Sequence, residues 1–163
     1  MDVFTLLRRD HERVFSLFTR LQSDFAGLDT PERHRLFQLL KKDLEVHAAV
    51  EDLHVYRVFQ QAEATRDEAH DALEAHAQIT TLLDELDTAS TYDHTWVSKV
   101  QELRSLVEQH VTVEEKEMFP KAVGILTTQE AEELGVTVET AKHAISRNAP
   151  TTDGGTPEQL QIS

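Results

Sequence analysis

The sequence contains no cysteine. That excludes disulfides, thiolate-held zinc and iron–sulfur clusters, so any metal must be held by histidine, carboxylate or tyrosine. Glycine and proline are scarce, at 5 and 4 among 163 residues, which leaves room for long unbroken helices. Positive charge is also short: 16 Lys and Arg face 30 Asp and Glu, for a net charge of −14. Such a surface repels phosphate backbones, so no nucleic-acid partner is expected. No apolar run approaches the roughly 20 residues that span a bilayer. The opening MDVFTLLRRDHERVF has neither the basic start nor the apolar stretch of a secretory leader. A cytoplasmic protein with no membrane partner is expected. What the chain does have is 39% hydrophobic residues, in a length that suits one domain with a real core.

The apolar residues recur in steps of three and four, which is helical period. Residues 2–26 carry Val3, Leu6, Leu7, Val14, Phe15, Phe18, Leu21 and Phe25, with Gly27 as the stop. Thr30-Pro31 then reads as an N-cap followed by proline at the first helical position. A second helix runs to about 62, with Leu36, Leu40, Leu44, Val50, Val55 and Val58 inward. A third spans about 65–87, with Leu73, Ile79, Leu83 and Leu86 inward. Residues 88–93 form the next turn, and a fourth helix spans about 93–122, with Trp96, Val100, Leu103, Val107, Val113 and Met118 inward and Pro120 near its end. Short connections make neighbours antiparallel, so the expected fold is all-α, an up-down-up-down four-helix bundle over residues 1–123. An extension over 124–145 holds a short additional C-terminal helix, with a Thr127/Glu130 capping box and Gly135 as its candidate break. The tail 146–163 is polar, rich in turn formers and expected to be disordered.

The sequence repeats itself. DHERVFSLFTRL (10–21) lies over AHAQITTLLDEL (75–86) at an offset of 65, placing His11 on His76. VHAAVEDLHVY (46–56) lies over QHVTVEEKEMF (109–119) at an offset of 63, placing His47 on His110, Glu51 on Glu114 and Tyr56 on Phe119. The chain therefore reads as two helical hairpins, each carrying one His and then one His-x-x-x-Glu. Heights agree: His11 to Gly27 and Pro31 to His47 are both 16 residues, so rise and return cancel. Directions agree too, because each His lies in an apolar stripe and each Glu follows its His by four, on the same helix face.

Four imidazoles and two carboxylates thus point into one core layer. A buried carboxylate without a partner costs several kcal/mol, and no Lys or Arg occupies a neighbouring inward position. Cations are the simplest remedy. Six ligands are too many for one tetrahedral zinc. Shared between two ions they give two His each, with both Glu able to bridge. Nitrogen and oxygen donors with open positions suit iron, with manganese second.

The pattern H…HxxxE…H…HxxxE, carried by DHERV (10–14), HAAVE (47–51), EAHAQI (74–79) and HVTVEEKEMFP (110–120), resembles the hemerythrin-like, HHE cation-binding domain family. The resemblance implies a bundle around two iron ions in an oxo- or hydroxo-bridged centre. His11, His47, His76 and His110 would be terminal ligands, and Glu51 and Glu114 bridging carboxylates. The chain departs from oxygen-carrying members in two places. Thr80 stands where they have a further His, and His110-x-x-x-Glu114 stands where they have His-x-x-x-x-Asp. These departures favour sensing or removal of oxygen species over reversible carriage.

Tyr56 is a further candidate ligand, although an ideal helix would point it about 140° away from Glu51. His54 is read as support or packing, and His34, His70, His94 and His143 as surface residues. Asp52, Glu115 and Glu117 read mostly as solvated face, with Glu115 in reach of the site. The function expected is a non-haem di-iron protein that binds or reacts with O2, peroxide or nitric oxide in oxidative or nitrosative stress handling. If it turns peroxide over, it is a catalase- or peroxidase-like oxidoreductase. The alternative is an iron- or oxygen-sensing binding module without turnover.

Overall fold

In a computed structural model of the chain, residues 1–23, 30–89 and 93–148 are described. Asp2 opens the first helix, α1 (Val3–Gln22), by accepting a 3.0 Å hydrogen bond from the Thr5 amide. Such a cap satisfies one of the amides that every helix start leaves unbonded. Helix α2 (Thr30–Val50) has Pro31 in its first turn. It passes without a break through a π-helical turn, π1 (Glu51–Val55), into α3 (Tyr56–Gln61). Thr65 closes the connection, its buried hydroxyl donating to Phe59 O at 2.6 Å. Helix α4 (Arg66–Thr88) leads to α5 (His94–Val113), which Asp93 caps through the Thr95 and Trp96 amides. Trp96 then donates its indole N–H to Leu86 O at 3.1 Å, pinning the end of α4 to the start of α5. A second π-turn, π2 (Glu114–Met118), continues into α6 (Phe119–Val123).

These elements make four rods: α1, α2–π1–α3, α4 and α5–π2–α6. The rods pair as two hairpins, α1 with α2 and α4 with α5. Two apolar clusters fill the bundle. One gathers Phe18, Leu21, Phe37, Leu40, Leu83, Leu86, Trp96 and Leu103 at the end near the α4–α5 turn. The other gathers Val3, Phe4, Leu7, Tyr56, Phe59, Met118 and Phe119 at the opposite end. Among the described residues no helix is long and apolar enough to cross a membrane.

The sequence expectations need correction in four places. The second and fourth rods are not plain α-helices, because each widens into a π-turn directly after its ligand-spaced Glu. Pro120 falls just behind π2, where the ladder is already widened and its missing N–H costs least. Val113 was expected inward but is 37% exposed, at the edge of that turn. Gly135 does not break the last helix, α7 (Thr128–Asn148), which Thr127 and Glu130 cap reciprocally. A Cβ at Gly135 would lie 2.3 Å from Met1 O, so glycine is there to let α7 pack on the start of α1. Helix α7 lies across α1, α2 and π1. Ser146 to Asn148, expected in the tail, are its last turn. Phe25, Gly27, residues 90–92 of the 88–93 turn and residues 149–163 lie outside the described residues.

Candidate metal centre

Between the two apolar clusters lies one polar layer. His11, His47, Glu51, His76, His110 and Glu114 are all buried there, the two glutamates with no exposure at all. Each rod supplies its share: His11 from α1, His47 and Glu51 from α2 and π1, His76 from α4, and His110 and Glu114 from α5 and π2. The six residues singled out from spacing are thus brought together. They fall into two groups whose candidate donor atoms lie within 4.8 Å of one another: His11, His47, Glu51 and Glu114, and Glu51, His76 and His110.

The histidine rings have a defined polarity. His47 Nδ1 lies 2.9 Å from Asp10 Oδ2, His11 Nδ1 2.7 Å from Glu115 Oε1, and His76 Nδ1 2.7 Å from Asp52 Oδ1. A carboxylate at Nδ1 accepts that nitrogen's proton and leaves Nε2 as the lone-pair donor. The Nε2 atoms turn inward, 3.1 Å apart for His11 and His47 and 3.0 Å apart for His76 and His110. Both oxygens of Glu51 and Oε1 of Glu114 are buried without a hydrogen-bond partner among the described residues. Glu51 Oε1 sits 2.5 Å from His47 Nε2, close but outside hydrogen-bonding geometry. Inward lone pairs facing orphaned carboxylate oxygens are unfavourable for an apolar interior. The same donor set fits cations, so the residues present are compatible with the ions that the pattern implies.

The crowding of these groups also shifts their titration in opposite directions. Burial opposes a charge on His47, but the charge and close approach of Glu51 and the hydrogen bond to Asp10 outweigh it and push His47 up to about 10. Burial wins at His110, which the charges of His76, His47 and His11 help push down to about 4. Burial and the neighbouring Glu114 push Glu51 up. Glu114 is held well below its usual range, against its burial, by the close approach of His11 and Glu51 and by the charges of His110 and His11.

Tyr56 reaches the layer because of π1. Its amide donates to Glu51 O, closing an i→i+5 turn, and five residues then make roughly one full turn instead of overshooting it. The phenol donates to Glu114 Oε2 and lies 3.3 Å from His110 Nε2 and 3.4 Å from His76 Nε2. Burial and both carboxylates push its pKa well above the usual phenol value. Phe119 holds the matching place after π2 and stacks on His11 at 6.5 Å. His54 is half-buried and has no polar partner among the described residues. His34, His70, His94 and His143 are exposed.

Sequence reasoning missed the roles of Asp52, Asp10 and Glu115. A signal existed for two of them: Asp52 lies over Glu115 at the same offset of 63 that pairs Glu51 with Glu114. Asp10 also binds Lys142 Nζ of α7, so the last helix touches the layer through Lys142, Asp10 and His47.

The fold and this layer define a helical bundle with a buried cation-binding cluster of histidines and glutamates. The chain belongs to the hemerythrin HHE cation-binding domain family, whose sequence profile matches residues 2–122. It is 28% identical over 137 residues to the uncharacterized protein Rv2633c of Mycobacterium tuberculosis, covering 83% of this chain and 81% of that one. It is 27% identical over 150 residues to a DNA nickase of Nostoc sp., of whose length the match spans 41%. A crystal structure of a hemerythrin HHE cation-binding domain-containing protein from Mycobacterium kansasii, a homolog of Rv2633c, shares the fold with a TM-score of 0.77. That match has 22% identity and covers 93% of this chain and 94% of the other.

Proposed function

We propose that this protein holds a non-haem di-iron centre and uses it to bind or react with O2, peroxide or nitric oxide. One observation carries the reading: four inward Nε2 atoms, three of them backed by carboxylates at Nδ1, surround glutamate oxygens with no other partner. His11 and His47 would hold one ion and His76 and His110 the other, with Glu51 and Glu114 shared. A pair of irons there would supply redox chemistry toward oxygen species. Asp10, Glu115 and Asp52 fix ring orientation and tautomer. Tyr56 donates its phenol proton to Glu114, and on losing that proton it would become a further ligand.

A cavity of about 30 Å3 adjoins the layer, walled by Val14, Leu44, Ile79, Leu83 and Val107, with Thr80 at its rim. It has room for a diatomic molecule or peroxide and little more. Thr80 offers no imidazole there, which supports reaction over reversible carriage. The substrate named for the Nostoc relative is not carried over, because a net charge of −14 opposes DNA binding.

The test is iron per chain after aerobic purification, followed by spectra and oxygen evolution on adding peroxide. Two irons with sustained oxygen evolution would make it a catalase-like oxidoreductase. Two irons with a stable adduct and no turnover would make it a sensing module. No iron above background would sink both.

A further inference from the structure

The polar layer is closed on most sides. The outer nitrogens of His11, His76 and His47 are covered by Glu115, Asp52 and Asp10, and Lys142 adds a positive charge behind Asp10. His110 is the exception, since no polar partner of its Nδ1 occurs among the described residues. It faces a groove of about 360 Å3 between α4 and the α5–π2 rod. Glu68, Asp71, Glu74 and Glu117 line that groove, and His110 and Glu114 lie at its inner end. Glu68 pairs with Lys121, whereas Asp71, Glu74 and Glu117 have no ion-pair partner among the described residues. His110 is the second, independent feature: it is more than nine-tenths buried, its Nδ1 has no polar partner among the described residues, and it lines the groove beside the fully buried Glu114. His110 also lines the small apolar cavity and is the residue common to both linings.

We propose that this groove is the route by which divalent metal cations enter the buried layer, with Asp71, Glu74 and Glu117 as the steering carboxylates and His110 as the ring at its inner end. The inference rests on the metal-centre reading above. A cleft walled by one sign of charge focuses its field and raises the local concentration of the opposite ion. A hydrated cation cannot cross the apolar clusters above and below the layer. Here it exchanges water for exposed carboxylates, then for Glu114 and His110. The untethered His110 ring can turn without breaking a carboxylate hydrogen bond, as the other three cannot.

The test is the rate at which metal-free protein takes up Fe(II) without oxygen, read by quenching with a coloured chelator at successive times. The comparison is Asp71→Asn, Glu74→Gln, Glu117→Gln combined against a control of equal charge change, Glu12→Gln, Glu132→Gln, Glu139→Gln. At low ionic strength the groove variant should load roughly three- to tenfold more slowly than the control, and the gap should close in high salt. Both should reach the same final iron content. Glu74→Lys alone should slow loading as well. Equal rates for groove and control variants would overturn the entry route and leave the metal centre standing. No uptake by the unaltered protein would overturn both.

Discussion

His47 and His110 occupy matching places in the two repeats, yet their surroundings are opposite. His47 lies beneath α7, tied to Asp10 and through it to Lys142, and is pushed up to about 10. His110 has no such carboxylate, borders an open groove and is pushed down to about 4. The difference traces to one position. Asp10 lies over Ala75 at the repeat offset of 65, so the second hairpin has a methyl where the first has its tether. The repeat gives two matching half-sites, and the last helix and one side chain tether the ring of one while the other borders a groove.

The largest effect should come from the residues that both halves share. Glu51→Ala and Glu114→Ala should each bring iron content to background, measured per chain by elemental analysis, since each carboxylate faces both groups of histidines. Loss of no more than half the metal would show that the halves load independently. The next effect divides them. Asp10→Ala should weaken metal binding about 10–100-fold, the usual range for removing such a support, in competition with a chelator. Ala75→Asp should make the halves alike and raise the His110 titration from about 4, followed by NMR of its ring in metal-free protein. An unmoved His110 would mean that its environment is set by burial alone.

The two rings should also tilt stability in opposite directions with pH. His47 is raised in the fold, so in metal-free protein its contribution is full below about 6.5 and is lost as pH rises through about 10. His110 is depressed, so it costs nothing above about 6.5 and costs more as pH falls toward about 4. Urea unfolding of metal-free protein across that range should therefore show an alkaline arm that His47→Gln flattens and an acid arm that His110→Gln flattens. Both variants flattening the same arm would reject the assignment.

How much of this was readable in the chain follows from what each feature depends on. The bundle and the six inward residues depend on helical period and on a repeat, both of which are local patterns. Tyr56 was only half readable, because its 140° offset assumed an unbroken α-helix and π1 removes it. The wider turn follows from how the rods pack around the layer, and spacing does not record that. Asp52 and Glu115 looked like solvated face because they follow their glutamates by one residue. Only the neighbouring rod, which brings His76 and His11 to them, gives them a role. Gly135 misled for a similar reason: its neighbour is Met1, at the far end of the chain. Gly135→Leu should accordingly cost about 1–3 kcal/mol by overpacking, read as a lowered Tm, and it should loosen α7 over the His47 half first. Unchanged protection of the α7 amides in hydrogen exchange would contradict that.

The smallest effect should come from Lys142, and its sign decides what α7 does. Lys142 holds Asp10 by an ion pair that is partly exposed, so its electrostatic worth is screened. Two consequences of removing it oppose each other. Without the cation, Asp10 accepts the His47 proton more strongly, which makes Nε2 a better donor and would tighten metal binding. Without the anchor, the Asp10 side chain can rotate away from Nδ1, which frees the ring and would weaken it. Salt screens the first effect and spares the second, because orientation depends on packing rather than on long-range charge. Lys142→Met should therefore weaken binding by less than Asp10→Ala does, under about tenfold, equally at low and high ionic strength. It should leave the His110 ring resonances in place. Tighter binding that disappears in high salt would show instead that α7 acts on His47 through charge alone.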